Sequence, residues 1–219
     1  MNNFKTWEKF FNNKELNSIL LYLDKLYKTK KISPQKGDVF NVFNKCNYNN
    51  LRVVIIGPEP SNTLIDSGIM FACNHYGDTT IDILKKSFID ARKPDYSEYY
   101  FDSTLESWLN QGVLLLRSSF TVELYKPKSH YNIWKYFIGK FIKEVSCNNP
   151  GLIFILLGEQ AKTYKPYIHK NCYILEEHTP VYYFKQGEYM PLTVFNKTNS
   201  ILQYNNNLKI KWYEKIDRE

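Results

Sequence analysis

Apolar residues along the chain follow two alternating rhythms. From Lys14 to Lys28, Leu16, Ile19, Leu20, Leu23, Leu26 and Tyr27 recur at three- and four-residue steps, the spacing of one helical face. Ser33-Pro34 follows and bars continuation. Asp38 to Phe43 reads as a short helix with Val39, Phe40 and Phe43 inward. The rhythm then changes. Leu51-Arg-Val-Val-Ile-Ile56 is a β-branched apolar run stopped by Gly57-Pro58, which predicts a buried strand. Helical spacing returns over Thr79 to Ala91, through Ile83, Leu84 and Phe88, and over Thr104 to Gln111. Gly112 to Leu116 predicts a second strand, ending at Arg117-Ser118. Tyr131 to Cys147 predicts a long helix with Trp134, Phe137, Ile138, Phe141, Ile142 and Val145 inward. Gly151 to Leu157 is a third strand, and Cys172 to Leu175 a fourth that runs into Glu176-Glu177-His178-Thr179-Pro180. Thr193 to Tyr204 is the last helix.

Strands that alternate with helices predict an α/β fold: one domain over residues 1–219, with a short four-stranded parallel sheet flanked by helices. Composition narrows the classes. Of 219 residues, 43% are hydrophobic and 23% charged, which excludes wholesale disorder. Cys46, Cys73, Cys147 and Cys172 stand dozens of residues apart with no C-x-x-C pair, which argues against a structural zinc or iron–sulfur site. The first eleven residues carry Lys5, Glu8 and Lys9 and no long apolar run, unlike a signal peptide. A cytoplasmic monomer with reduced cysteines, no cofactor, no metal and no membrane association is the expectation. The net charge of +7 suits an approach to a polyanion, and equally a merely basic surface.

In an open parallel sheet, ligands bind beyond the carboxyl ends of the strands. Those ends carry Gly57-Pro58-Glu59-Pro60-Ser61-Asn62, Arg117-Ser118-Ser119 and Glu177-His178-Thr179-Pro180. Ionisable groups from three strand ends thus converge on one edge.

Several segments match one family in order and spacing. Leu51 to Asn62 resembles a strand followed by a water-activating G-Q-D-P-Y-H loop. Ser67-Gly-Ile-Met-Phe71 resembles a G-L-x-F segment, and Trp108 to Val122 resembles W-x-x-Q-G-V-L-L-L-N with its trailing T-V. Leu152 to Ala161 resembles V-F-L-L-W-G-x-x-A, Glu177 to Pro180 resembles H-P-S-P-L, and Phe195 to Trp212 resembles the closing helix and I-x-W end. From Ser33 to Trp212 the chain resembles the uracil-DNA glycosylase family. The resemblance implies a three-layer uracil-DNA glycosylase-like fold and a DNA partner, duplex or single-stranded. It also implies excision of a flipped base by hydrolysis of its N-glycosidic bond.

By the same resemblance, Glu59 stands where the family has its water-positioning Asp, and His178 stabilises the departing base. The alignment also allows Glu177 at the histidine place. Pro58, Ser61, Asn62, Phe71 and Arg117 fall at base-binding positions, where the family has Gln, Tyr, His, Phe and Asn. Lys126, Lys128, Ser129, Thr179, Pro180, Val181, Tyr182 and Lys185 fall where DNA is gripped or wedged. Arg has five donors and no acceptor, so it mismatches the N3–H of uracil and matches the N3 and O2 acceptors of cytosine. Ser61 opens space beside C5. Together they point to a hydroxymethylated or glucosylated cytosine of phage or viral DNA, with excision serving anti-phage defence. Uracil repair is the second reading, and a silent DNA-binding accessory or interaction scaffold the third. Arg117 also has two other partners open to it, a DNA phosphate and Glu59.

Overall fold

The computed structural model describes residues 3–61, 66–72, 79–89 and 98–216. A 3-10 turn at Asn3–Trp7 leads into α1 (Glu8–Phe11) and α2 (Lys14–Tyr27), followed by β1 (Ile32–Ser33), α3 (Asn41–Lys45) and β2 (Val53–Gly57). Next come α4 (Thr79–Phe88), β3 (Tyr99–Tyr100), α5 (Glu106–Asn110), β4 (Val113–Arg117), β5 (Val122–Glu123) and α6 (Tyr131–Asn148). The chain closes with β6 (Ile153–Leu157), α7 (Glu159–Lys162), β7 (Tyr173–Glu177), α8 (Pro180–Lys185), α9 (Thr193–Tyr204) and β8 (Glu214–Lys215).

The main sheet has the order β4-β2-β6-β7, and each neighbouring pair is parallel. This is the four-stranded parallel sheet the apolar runs predict. Strands β2, β4 and β6 are buried along their whole length because helices cover both faces, giving three layers. Trp7, Phe43, Phe120 and Trp134 belong to one aromatic cluster, joined by ring contacts of 4.9–5.9 Å. Phe88, Trp108, Phe195 and Trp212 form another, at 4.8–6.5 Å. Most centroid spacings sit in the edge-to-face range that the ring quadrupole favours.

Register positions the functional edge. Val53 lies opposite Val113 and Ile153, and the same alignment sets Gly57 opposite Arg117 at the carboxyl end. The strands start one or two residues later than the apolar runs suggest. Arg52 accounts for this in β2, because its guanidinium donates to the carbonyls of Gln111 and Leu208 rather than entering the sheet. The helix expected over Asp38 to Phe43 is displaced to α3, after a 3-10 turn at Lys36–Asp38. There the Ser67-Gly68 segment passes so close that a Cβ on Gly68 would sit 1.8 Å from the Asp38 carbonyl oxygen. Gly68 has φ +75°, a conformation open to glycine at little cost. Asn13 caps α2 by accepting from the Leu16 N–H at 2.8 Å. Among the described residues no helix is long and apolar enough to cross a membrane.

Candidate active site

A cavity of about 250 Å³ opens at the carboxyl edge of the sheet. Its wall draws on three segments of chain: Pro58, Glu59 and Ser61 after β2; Asp66, Met70 and Phe71 from the following loop; and Arg117 at the end of β4. Thr179 and Val181, from the start of α8, complete the mouth. The convergence expected from the sequence therefore exists for the ends of β2 and β4, while after β7 Thr179 and Val181, and not the ionisable Glu177 and His178, line the cavity. Asn62 lies outside the described residues.

Gly57 makes the close approach of Met70 and Phe71 possible. A Cβ there would stand 2.3 Å from Met70 Sδ and 3.3 Å from Phe71 Cζ. Phe71 itself has φ +67°, a left-handed conformation that costs a non-glycine residue roughly 1–3 kcal/mol. The packing around it thus holds an aromatic ring against the cavity in a strained backbone.

Glu59 reaches across to the loop before α6. Its Oε1 accepts the backbone N–H of Lys128 at 2.8 Å, while Oε2 is enclosed with no partner among the described residues. Burial pushes its carboxyl above the usual range, against the opposing pull of the Lys128 N–H and the Lys128 charge. Lys128 adopts φ +64° to aim that N–H, and nearby Tyr125 has φ +65°. The same loop is anchored by buried His130, whose Nδ1 lies 2.8 Å from the Thr121 hydroxyl; that oxygen also accepts from Trp134 Nε1.

Arg117 corrects the sequence reading. It reaches neither Glu59 nor outward to a phosphate, and it is not a free guanidinium directed at a base. Nη1 and Nη2 grip the two oxygens of Asp66 at 2.8 and 2.9 Å, and Nη2 also donates to the Ile69 carbonyl at 3.0 Å. The side chains are only 7% and 3% exposed, so this is a buried bidentate ion pair. Asp66 also accepts from the Ser61 N–H and Oγ at 3.0 Å each and from the Gly68 N–H at 2.8 Å. Burial opposes its charge, but Arg117 and these donors outweigh burial and hold its carboxyl below the usual carboxylate range. Ser61 is thereby turned toward Asp66.

Asp66 is the site residue that the sequence alone does not single out. The signal was present in Arg117. An Arg at the end of a fully apolar strand needs a nearby acid, and Asp66, not Glu59, is that acid.

His178 does not line the cavity. Its ring stacks on Tyr182, with centroids 4.0 Å apart and planes 15° from parallel. Its backbone N–H donates to Glu177 Oε1, which also accepts from the Tyr183 hydroxyl at 2.6 Å. Burial and that bond to Glu177 raise the Tyr183 hydroxyl well above its usual value. Glu177, the other residue aligned with the family histidine, is therefore committed internally. The expected wedge loop is the short helix α8, with Thr179 at its N-cap and Pro180 in its first turn, where proline needs no donor. Val181 faces the cavity, whereas Tyr182 and Phe184 stand on the surface.

The cationic positions differ among themselves. Lys128 and Lys185 are exposed, while Lys126 pairs with Glu123 at 2.8 Å. Ser129 Oγ accepts the Glu123 N–H at 2.9 Å and so organises the loop.

A cavity at the carboxyl edge of a parallel sheet, walled by a half-buried carboxylate and an aromatic ring, is the kind of site a base-excising hydrolase needs. Residues 43–216 match the profile of the uracil DNA glycosylase superfamily, and the chain belongs to that family. It is 33% identical to a uracil-DNA glycosylase of Mycoplasmopsis pulmonis, over 97% of this chain and 99% of that one. It is 32% identical to a uracil-DNA glycosylase of Buchnera aphidicola, over 94% and 93%. Among solved structures, mimivirus uracil-DNA glycosylase superposes with a TM-score of 0.79 at 22% identity, covering 95% of this chain and 86% of that one. That likeness concerns the fold.

Proposed function

We propose that the protein is a DNA glycosylase that hydrolyses the N-glycosidic bond of a flipped-out uracil and leaves an abasic site. The observation that carries this reading is Glu59: a carboxylate in no ion pair among the described residues, one oxygen held by a backbone N–H and the other enclosed, at the wall of a base-sized cavity. The sugar becomes oxocarbenium-like as the C1′–N bond breaks and the bonding electrons leave with the base. Glu59 stabilises that cation and orients water toward C1′, then takes the proton the attacking water releases. Phe71 supplies a face for the base to stack on. Val181 and Tyr182 on α8 fill the gap left in the duplex, and Lys128 and Lys185 hold the phosphates.

Uracil replaces modified cytosine as the first reading for two reasons. Cytosine would be matched by a free guanidinium, and Asp66 occupies that of Arg117. Two relatives above 30% identity over nearly the whole chain are uracil-DNA glycosylases. One observation keeps the C5-modified base as a second reading: Ser61 is small where the family has an aromatic wall. The test is a set of duplexes that carry uracil, cytosine or 5-hydroxymethylcytosine at one position, scored by strand cleavage at abasic sites. Cleavage confined to the uracil duplex supports the proposal. Cleavage confined to the hydroxymethylcytosine duplex replaces it, and binding without cleavage of any duplex leaves a silent DNA-binding module.

A further inference from the structure

The buried pair in the cavity wall carries a further inference, which rests on the uracil reading above. A guanidinium beside a base pocket is a cytosine-directed group, since its donors match the N3 and O2 acceptors. In this chain three hydrogen bonds from Nη1 and Nη2 are already made, two to Asp66 and one to the Ile69 carbonyl. Nε is enclosed and unpartnered among the described residues. Asp66 in turn receives five hydrogen bonds: two from Arg117, two from Ser61 and one from Gly68. A carboxylate has about four lone-pair sites, so Asp66 has no capacity left for a base. The two charges cancel each other, and both residues line the cavity.

We propose that Asp66 determines base specificity by position. It locks Arg117 away from the acceptor edge of a 4-amino pyrimidine and leaves the cavity to a 4-keto pyrimidine. Asp66 touches no base in this scheme; it acts through Arg117. It also fixes the wall itself, because Ser61 follows Glu59 by two residues and Gly68 precedes Phe71 by three. One carboxylate thus ties the segment that carries the catalytic group to the segment that carries the stacking ring.

The test uses inhibition of uracil excision by the free bases uracil and cytosine, in the full chain and in Asp66→Asn. The substitution removes the charge that holds the guanidinium. The ratio of the cytosine to the uracil inhibition constant should fall by about tenfold or more, the scale of one donor–acceptor match regained. A merely structural role would weaken both bases alike and leave the ratio unchanged, which would overturn the inference. Asp66→Glu keeps the charge and serves if the Asn variant does not fold. Its longer arm disturbs the two-point grip, so the ratio should shift the same way by less; an unchanged ratio there also overturns it. Arg117→Gln placed on Asp66→Asn should restore rejection of cytosine, because no guanidinium remains to be released, and failure to restore it counts against the scheme. If the unaltered protein excises no uracil, the underlying reading falls and takes this one with it. If it excises uracil and the ratio stays fixed in the variants, this inference alone falls.

Discussion

The aromatic interior under the N-terminal segment and the cavity at the sheet edge are built on opposite terms. In the first, Trp7, Phe10, Phe11, Phe43 and Phe141 are nearly or fully enclosed, and the one polar handle, Trp7 Nε1, donates to the Cys46 carbonyl at 2.7 Å. Apolar area and ring geometry act together there, and the hydrogen-bonding needs are met. In the second, Glu59 Oε2 and Arg117 Nε are enclosed without partners among the described residues, and Phe71 and Lys128 hold left-handed backbones. Backbone strain and enclosed polar atoms thus stand side by side at the cavity, where function and not packing sets the terms. The sheet lets the two coexist, because its buried strands fix the register that places Gly57 beside Arg117.

The sharpest way to break this contrast is Glu59→Gln. It should cut turnover by at least about a hundredfold, about 2.7 kcal/mol of barrier. Stability should hold or rise. The carboxyl has a raised folded-state pKa, so its neutral form is the favoured one; that contribution is present at low pH and lost as pH rises through the raised value. At neutral pH the charge is a cost, and Gln removes it. Single-turnover kinetics and thermal melts on the same preparation check both halves. The same shift places the acid limb of the pH–rate profile above the ordinary glutamate range, and Glu59→Asp should move that limb. On the other side, Phe43→Ala should lower stability by about 3–5 kcal/mol and leave turnover per folded molecule unchanged. A Phe43 variant that melts normally but loses turnover would erase the distinction between the two regions.

Within the cavity wall, Arg117→Met should cost about 3–5 kcal/mol, because it leaves Asp66 buried and unpaired. Adding Asp66→Asn should recover most of that loss, measured by urea unfolding. If the double variant is no better than the single one, the pair is less coupled than its two-point geometry implies. The acid side carries a related sign. Asp66 has a depressed folded-state pKa, so its contribution is present above the ordinary Asp value and is lost only as pH falls through the lower one. The pair should therefore survive mild acid.

The fold was legible because apolar periodicity reports burial directly. Continuous runs such as Ile153–Leu157 became central strands, and the spacing of Trp134, Phe137, Phe141 and Val145 became the inner face of α6. The N-terminal turns escaped, since Trp7, Phe10 and Phe11 are too few to set a period and are buried only by tertiary packing. At the site, Glu59, Phe71 and Arg117 were legible as positions, because spacing along the chain fixes which strand end carries them. Partnership was not legible. Arg117 and Asp66 stand 51 residues apart, and only the sheet register with the Gly68 turn brings them together. His178 shows the converse: its position at the end of β7 was read correctly, but the start of α8 gives its ring Tyr182 to stack on.

The smallest effect, and the finest division between the regions, is expected at Lys128. Its backbone N–H holds Glu59 at 2.8 Å from a residue with φ +64°, while its side chain is exposed. Those are separable roles. Lys128→Gly keeps the N–H and removes the Cβ that makes the left-handed conformation costly. That relief is about 1–2 kcal/mol and is offset in part by the greater freedom of glycine in the unfolded chain, about 0.5–1 kcal/mol. Stability should therefore hold or rise slightly, and the chemical step on saturating DNA should stay within about twofold, since Glu59 keeps its anchor. The lost ammonium should appear elsewhere. If it contacts one phosphate, the slope of log affinity against log salt becomes shallower by about 0.9, and duplex binding weakens most at low salt. A Lys128→Gly protein with normal DNA affinity and an unchanged salt slope assigns Lys128 to the carboxylate alone. One with a normal salt slope but a slowed chemical step shows that the left-handed turn, and not the N–H by itself, sets the position of Glu59.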